Sequence, residues 1–435
     1  MNAAAKRTFA SLSIPNYRRF FSGQVVSITG NWMQMVAEMW LVVQLTGSGV
    51  SVGLTAGLQF LPMMILGPWG GLLADRVHKR RLLMITQSLM VIPALALWGL
   101  TAGGAVEVWM VYALVLVRGT LNSMDNPARQ SFAIEMVGPD RVVNAVALNS
   151  MVIHVARILG PAFAGAMIAF VGVSTCFLVN ALSFAAMLVA LRRIDPRQLQ
   201  SPPEFAPRGR GQLRSGVRHV AETPTLWIPL AMMSLVGILA FNFQVLLPLL
   251  ATFTWHGTAT TYAALTAAMG IGSVIGAAVT GSRGRVGPRV LVGSCAAFGF
   301  ALLLVAAAPT LPLQLAALVP LGLSSIVFSA GVNSAMQLEV DPTMRGRVMS
   351  LFTLVFMGTT PIGAPFVGWI AEEIGPRAGF VIGAAAALTA AAAARVAYAR
   401  FGYGPAMRVR RESRLCESSS RTRTARRPLV HETRP

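Results

Sequence analysis

Residues 223–282 read TPTLWIPLAMMSLVGILAFNFQVLLPLLATFTWHGTATTYAALTAAMGIGSVIGAAVTGS, sixty positions without a single Asp, Glu, Lys or Arg. Residues 82–106 and 290–338 are equally free of charge. Each run exceeds the roughly 20 apolar residues that cross a bilayer. The whole chain agrees: 435 residues, 54% hydrophobic and 12% charged, with a mean hydropathy of +0.62. A water-soluble domain carries about 25% charged residues. The chain is therefore read as an all-α polytopic membrane protein.

A 19-residue window places twelve helices near 20–45, 49–74, 82–102, 107–128, 142–170, 173–191, 226–251, 259–281, 290–308, 312–337, 348–371 and 377–399. Their connections explain the formal charge of +20. Of the 36 Lys and Arg, 33 fall on alternate connections and the two termini. Of the rest, Arg377 lies on the opposite side, and Arg118 and Arg157 lie inside helices. Positive charge on one face is the mark of the cytoplasmic side, so both termini are expected there and nucleic acid is not an expected partner. Trp40, Trp98, Trp109, Trp255 and Trp369 fall near expected outer helix ends, as an interfacial belt requires. Cys176, Cys295 and Cys416 are too dispersed for a disulfide framework or a metal site. The first twenty residues show no apolar stretch ending in a small-residue cleavage site, so no cleaved leader is expected from them.

The expected organisation is a cytoplasmic N-terminus (1–19), a six-helix bundle (20–191), a basic linker (192–225), a second six-helix bundle (226–399) and a basic disordered tail (400–435). In the linker, Leu213, Val217 and Val220 stand at helical spacing among basic residues. That suits a short helix on the inner leaflet and equally a solvated linker. The tail has little apolar surface to offset its ordering entropy, and its arginines can attract anionic lipid. The halves look duplicated. Asn126-Pro-Ala-Arg-Gln130 returns as Asn333-Ser-Ala-Met-Gln337, and Gly160-Pro-Ala-Phe-Ala-Gly165 as Gly363-Ala-Pro-Phe-Val-Gly368.

The segment Gly71-Leu-Leu-Ala-Asp75-Arg76-Val-His-Lys79-Arg80-Arg81 closes the second helix. It resembles the loop signature G-x-x-x-D-R/K-x-G-R/K-R/K of the major facilitator superfamily, with His78 in place of a glycine. Residues 16–85, 126–165 and 345–376 are similar to that superfamily's transmembrane secretion effector branch, whose relatives include enterobactin-exporter-like and macrolide-efflux-like proteins. The resemblance covers about 1–400. It implies two pseudo-symmetric six-helix bundles in the inner membrane of a bacterium, a monomer, and export of a small molecule. It also assigns Gly71, Asp75, Arg76, Lys79 and Arg80 to a conformational latch. In helix 5 the exporter pattern G-x8-G-x3-G-P-x2-G-G is answered by Ala147, Ala156, Gly160, Pro161, Ala164 and Gly165. This is a degenerate match that keeps small residues throughout and reads equally as a packing face.

Ionisable residues inside the hydrocarbon cost about 2.5–3.5 kcal/mol on insertion scales and are functional candidates by default. Glu38 in helix 1 and Arg118 in helix 4 are expected about 8 Å apart in depth, within reach of each other if the helices adjoin. In drug/proton antiporters of the superfamily such a pair forms the proton site. Glu38 and Arg118, with His154 as a cavity or packing residue, are therefore the candidate coupling groups. Arg129, Arg157, Gly160, Pro161 and Gly165 are assigned to gating. No phosphate-binding loop, metal cluster or catalytic triad is present, so neither a cofactor nor an enzymatic activity is expected. The expected function is secondary active export of a small amphipathic molecule by proton antiport. Uptake or facilitated exchange, and lysophospholipid flipping, are the alternatives.

Overall fold

A computed structural model describes residues 10–138, 141–199, 212–282, 287–340 and 344–401. Within these, the side chains of 68–76, Val143, Ser150, His154, 212–216, Ser282, Arg345 and Gly346 lie outside the described set. Residues 1–9, 200–211 and 402–435, parts of the expected terminus, linker and tail, also lie outside it.

Twelve long helical rods run through the described residues. In the first half they are α1 (Pro15–Thr46), α2 (Gly49–Arg76), α3 (Lys79–Ala102), α4 (Val108–Val137), α5 (Val142–Phe170) and α6 (Val173–Arg192). In the second half α7 spans Pro224–Thr254, followed by α8 (Ala259–Ser282), α9 (Pro288–Ala307) and α10 (Leu311–Glu339). Rod α11 comes in two segments, Arg345–Gly358 and Thr360–Glu373, and α12 is Pro376–Arg400. Ten of the rods are long and apolar enough to span a membrane; α1 and α4 fall below that measure. These two carry Glu38 and Arg118.

Several ends move relative to the sequence reading. α1 starts at Pro15, five residues before the expected 20, because Tyr17 and Phe20 are buried and Asn16 bonds Asp195 in both directions. α4 continues through Pro127 to Val137, so Arg129 lies within a helix and not in a loop. The latch segment shrinks to a break at Val77 and His78, and Lys79 opens α3. His78 has φ −55°, so no left-handed backbone demands glycine there. In the linker, a helix does form over Gln212–Glu222. It buries Val220, leaves Val217 exposed and packs on α7 and the first segment of α11.

The same packing recurs in both halves: α2 lies on α4 and α8 on α10, while α3 lies on α6 and α9 on α12. Glycines permit the closest crossings. A Cβ on Gly119 would come 2.5 Å from the Gln59 carbonyl oxygen, and one on Gly322, its counterpart in α10, would overlap that of Met269. α7 is interrupted at Ala240–Asn242, and there it meets the break in α11, with Gly237 against Thr359 and Gly363 against the Ile238 carbonyl.

The halves meet on the face opposite the arginine-rich loops. Gly49 packs on Gly368, Gly53 on Ala364, Gly57 on Pro361, and Met64 on Gly358. From Gly49 to Met64 this seam runs about 22 Å along α2. Gly165 of α5 lies against Ala263 of α8, and Ile158 against Gly270. Glu372 accepts from Ser48 Oγ at 2.7 Å and from the Val50 amide at 2.9 Å. Trp40 is 6% exposed and stacks on Tyr262, so it joins the halves and does not belong to the interfacial belt.

Gly322→Ala is expected to lower stability by about 1–3 kcal/mol, the cost of overpacking. Gly99→Ala, whose Cβ would enter open space, is expected to leave stability unchanged within about 1 kcal/mol. Thermal unfolding in detergent, followed by tryptophan fluorescence, measures both.

Candidate functional site

Glu38 is completely buried and Arg118 is 1% exposed. They form an ion pair between α1 and α4, with Arg118 Nη2 donating to Glu38 Oε2. Glu38 lies eight residues from the end of α1 and Arg118 ten from the start of α4. Their depths therefore differ by about 3 Å. This is smaller than the expected 8 Å, because α1 ends and α4 begins each one residue later than expected, at Thr46 and Val108.

The second carboxylate oxygen is held too. Gln34, one turn earlier on α1, donates through Nε2 to Glu38 Oε1 at 2.7 Å. Asn180 on α6 donates to Gln34 Oε1, and Ser183 donates to Asn180 Oδ1 at 2.7 Å. The polar chain thus ties together α1, α4 and α6. Gly30 makes room for it, since a Cβ there would come 2.5 Å from Ser183 Oγ. Arg118 Nε is buried without a hydrogen-bond partner. The charge of Glu38 is fully answered while one donor of its partner is not, so the pair is tight but incompletely satisfied.

A second polar cluster sits closer to the arginine-rich face. Asp125 accepts from Thr86 Oγ1 at 2.7 Å and Gln87 Nε2 at 2.9 Å through one oxygen, and from Arg129 Nη2 at 2.8 Å through the other. Lys79 pairs with Glu135 at 2.6 Å. Arg80 donates to the carbonyls of Leu191 and Arg192, the C-terminal turn of α6, where a helix dipole favours a cation. Lys79 and Arg80 thus fasten α3 to α4 and α6 within one half. Gly71, Asp75 and Arg76 lie in the last turns of α2, with side chains outside the described set.

In α5, the two glycines of the degenerate pattern face different neighbours. Gly160 lies against Trp32 and Met33 of α1, and Gly165 against α8 across the seam. Pro161 stays within the helix. Arg157 sits with its guanidinium carbon 4.9 Å from the centre of the Trp32 ring. His154 falls on α5 one turn from Arg157, and its side chain is outside the described set.

The sequence reading brought Glu38 and Arg118 together but missed Gln34, Asn180, Ser183, Trp32 and the Asp125 donors Thr86 and Gln87. Gln34 and Gly30 were visible as the i−4 and i−8 neighbours of Glu38 on one helix face. Nothing in the sequence singled out Asn180.

A family profile described as "Transmembrane secretion effector" matches residues 6–406. The chain belongs to this family. Its members are major facilitator transporters, not enzymes. A staphyloferrin A transporter of Staphylococcus aureus is 30% identical over 40% of this chain and 44% of its own length. The match to that relative spans less than half of it. Macrolide efflux protein A of Streptococcus pyogenes is 23% identical over 83% of the chain and 91% of its length. An enterobactin exporter of Shigella flexneri is 26% identical over 83% and 86%. Among solved structures, a nucleoside transporter superposes with a TM-score of 0.72 at 12% identity, covering 88% of this chain and 99% of its own. This similarity establishes the fold of the secretion effector as that of a major facilitator transporter.

Arg118→Gln leaves Glu38 buried without its cation, and a loss of about 3–5 kcal/mol in stability is expected. Glu38→Gln combined with Arg118→Gln is expected to recover part of that loss, because both charges are then gone. A double-mutant cycle from urea or thermal unfolding reads the coupling directly.

Proposed function

We propose that this secretion effector exports a small amphipathic molecule from the cytoplasm by alternating access, with proton antiport through Glu38. The single observation that carries this reading is the fully buried Glu38–Arg118 pair bridging two helices of one bundle. Arg118 and Gln34 bond the two oxygens of this carboxylate. Protonation of Glu38 frees Arg118 and loosens the tie between α1 and α4. A proton and a cargo that favour opposite conformations are then exchanged across the membrane.

The bundles 20–191 and 226–399 are the moving bodies, and the arginine-rich face is cytoplasmic. The glycine seam on the other face supports a resting state closed to the outside. Opening outward parts α2 from α11 and α5 from α8. The small residues at Gly49, Gly53, Gly57 and Gly165 suit such a seam, because they leave no interlocked side chains to withdraw. Lys79, Arg80 and Arg129 keep the first bundle rigid as it turns. The protein works as a monomer in a bacterial inner membrane, within its lipids. The names of the macrolide, enterobactin and staphyloferrin relatives favour outward movement of a small molecule.

The test is reconstitution in vesicles with an imposed pH gradient and a set of fluorescent amphipathic probes. Gradient-driven movement that is lost in Glu38→Gln is the expected result. Movement equal in wild type and Glu38→Gln removes the proton from Glu38. Movement in the absence of any gradient, in either direction, replaces antiport with facilitated exchange.

A further inference from the structure

Arg157 lies thirteen residues from one end of α5 and fifteen from the other. That is about 20 Å from each end, near the middle of the bilayer. Around the helix, at 100° per residue, the strongly exposed Val155, Leu159 and Phe163 mark the lipid side. Gly160 marks the side facing α1, and Ile158 and Gly165 mark the side facing α8. Arg157 falls opposite the lipid side, between the α1 and α8 faces. It therefore points toward the gap between the two bundles and remains partly accessible.

Among the described residues, no carboxylate serves this cation. Glu38 is taken by Arg118, Asp125 by Arg129 and Glu135 by Lys79. The Arg157 guanidinium has one described contact, the Trp32 ring. An indole face attracts a cation by up to about 2 kcal/mol when water is excluded. That fixes the position of the charge without neutralising it. The N–H groups remain unmatched, and a guanidinium is suited to bind a carboxylate through two of them. Since the Glu38–Arg118 pair is neutral overall, the described charges at this depth sum to one uncompensated positive charge, facing the path between the bundles.

We propose that Arg157, seated on Trp32, is the cargo's charge anchor, and that the cargo is an amphipathic organic anion bearing a carboxylate. This rests on the export reading and names its substrate class. The carboxylate takes the free N–H groups, and the apolar body of the cargo lies along Trp32. Gly160 is part of the device. A side chain there would displace Trp32, which backs the guanidinium.

Two probes of one skeleton decide the matter: a pyrene with a butyrate tail and the same pyrene with a butylammonium tail. Binding is measured by fluorescence titration of the full-length protein in detergent, and uptake by the same probes in vesicles. Wild type is expected to bind the carboxylate at least tenfold more tightly than the ammonium. Arg157→Gln is expected to abolish that preference, weakening carboxylate binding by about 10–100-fold with little change for the ammonium probe. Arg157→Lys retains the sign of the preference with a weaker Kd, and serves if Arg157→Gln fails to fold by thermal unfolding. Equal or tighter ammonium binding by wild type overturns the proposal. So does undetectable carboxylate binding, or a folded Arg157→Gln with an unchanged carboxylate Kd. A carboxylate preference that depends on Arg157 without pH-gradient-driven movement sustains the anchor and defeats the antiport reading. Gradient-driven movement of both probes, indifferent to Arg157, does the reverse.

Discussion

Glu38 is too deeply buried to stay ionised without a counter-charge, and much of the first bundle is arranged around its pairing with Arg118. Glu38 is fully buried, so its ionised form is tolerated only with Arg118 against one oxygen and Gln34 on the other. Gln34 in turn needs Asn180, and Asn180 is bonded by Ser183. The crowding of these groups is possible only because Gly30 contributes no side chain. Likewise Arg118 sits one residue before Gly119, the point where α4 touches the backbone of α2. Electrostatics joins α1, α4 and α6 here, and close packing at Gly119 adds α2.

The second bundle repeats the frame with a different filling. Leu321 stands beside Gly322 as Arg118 stands beside Gly119. In place of a buried ion pair there is an aromatic cluster: Phe241 stacks on Phe298 at 5.1 Å, and Phe328, Phe243 and Phe356 surround them. Phe241 falls in the break of α7, where the regular backbone bonding lapses and Asn242 Nδ2 returns a bond to Ile238 at 2.7 Å. One half therefore holds a buried charged contact at its centre, whereas the other holds together by dispersion and ring geometry. A duplicated architecture has divided the labour between its copies.

The parts legible in the sequence were those governed by one-dimensional quantities. Charge-free runs marked most spans, and the alternation of arginines divided the connections between two faces. Glu38 and Arg118 stood out because a charge in an apolar helix needs a reason. What depended on three-dimensional neighbours was hidden. Trp40 looked like a belt residue by its distance from a helix end, yet the approach of α8 buries it against Tyr262. The fourth helix was expected to end near 128, but α4 continues past Pro127 to bury Phe132 and Met136. Gln34 and Asn180 are ordinary residues until the helices meet.

The weak apolarity of α1 and α4 bears on how the chain is made. Eighty residues separate Glu38 from Arg118. At roughly 5–20 residues per second, synthesis delivers the arginine several seconds after the glutamate. During that interval α1 is a poor candidate for release into lipid on its own. Glu38 lowers its apolarity together with Asn31, Gln34 and Gln44. The arrival of α4 supplies the counter-charge, and the polar chain closes only with α6, which carries Asn180, so the order of translation bears on how the first bundle assembles.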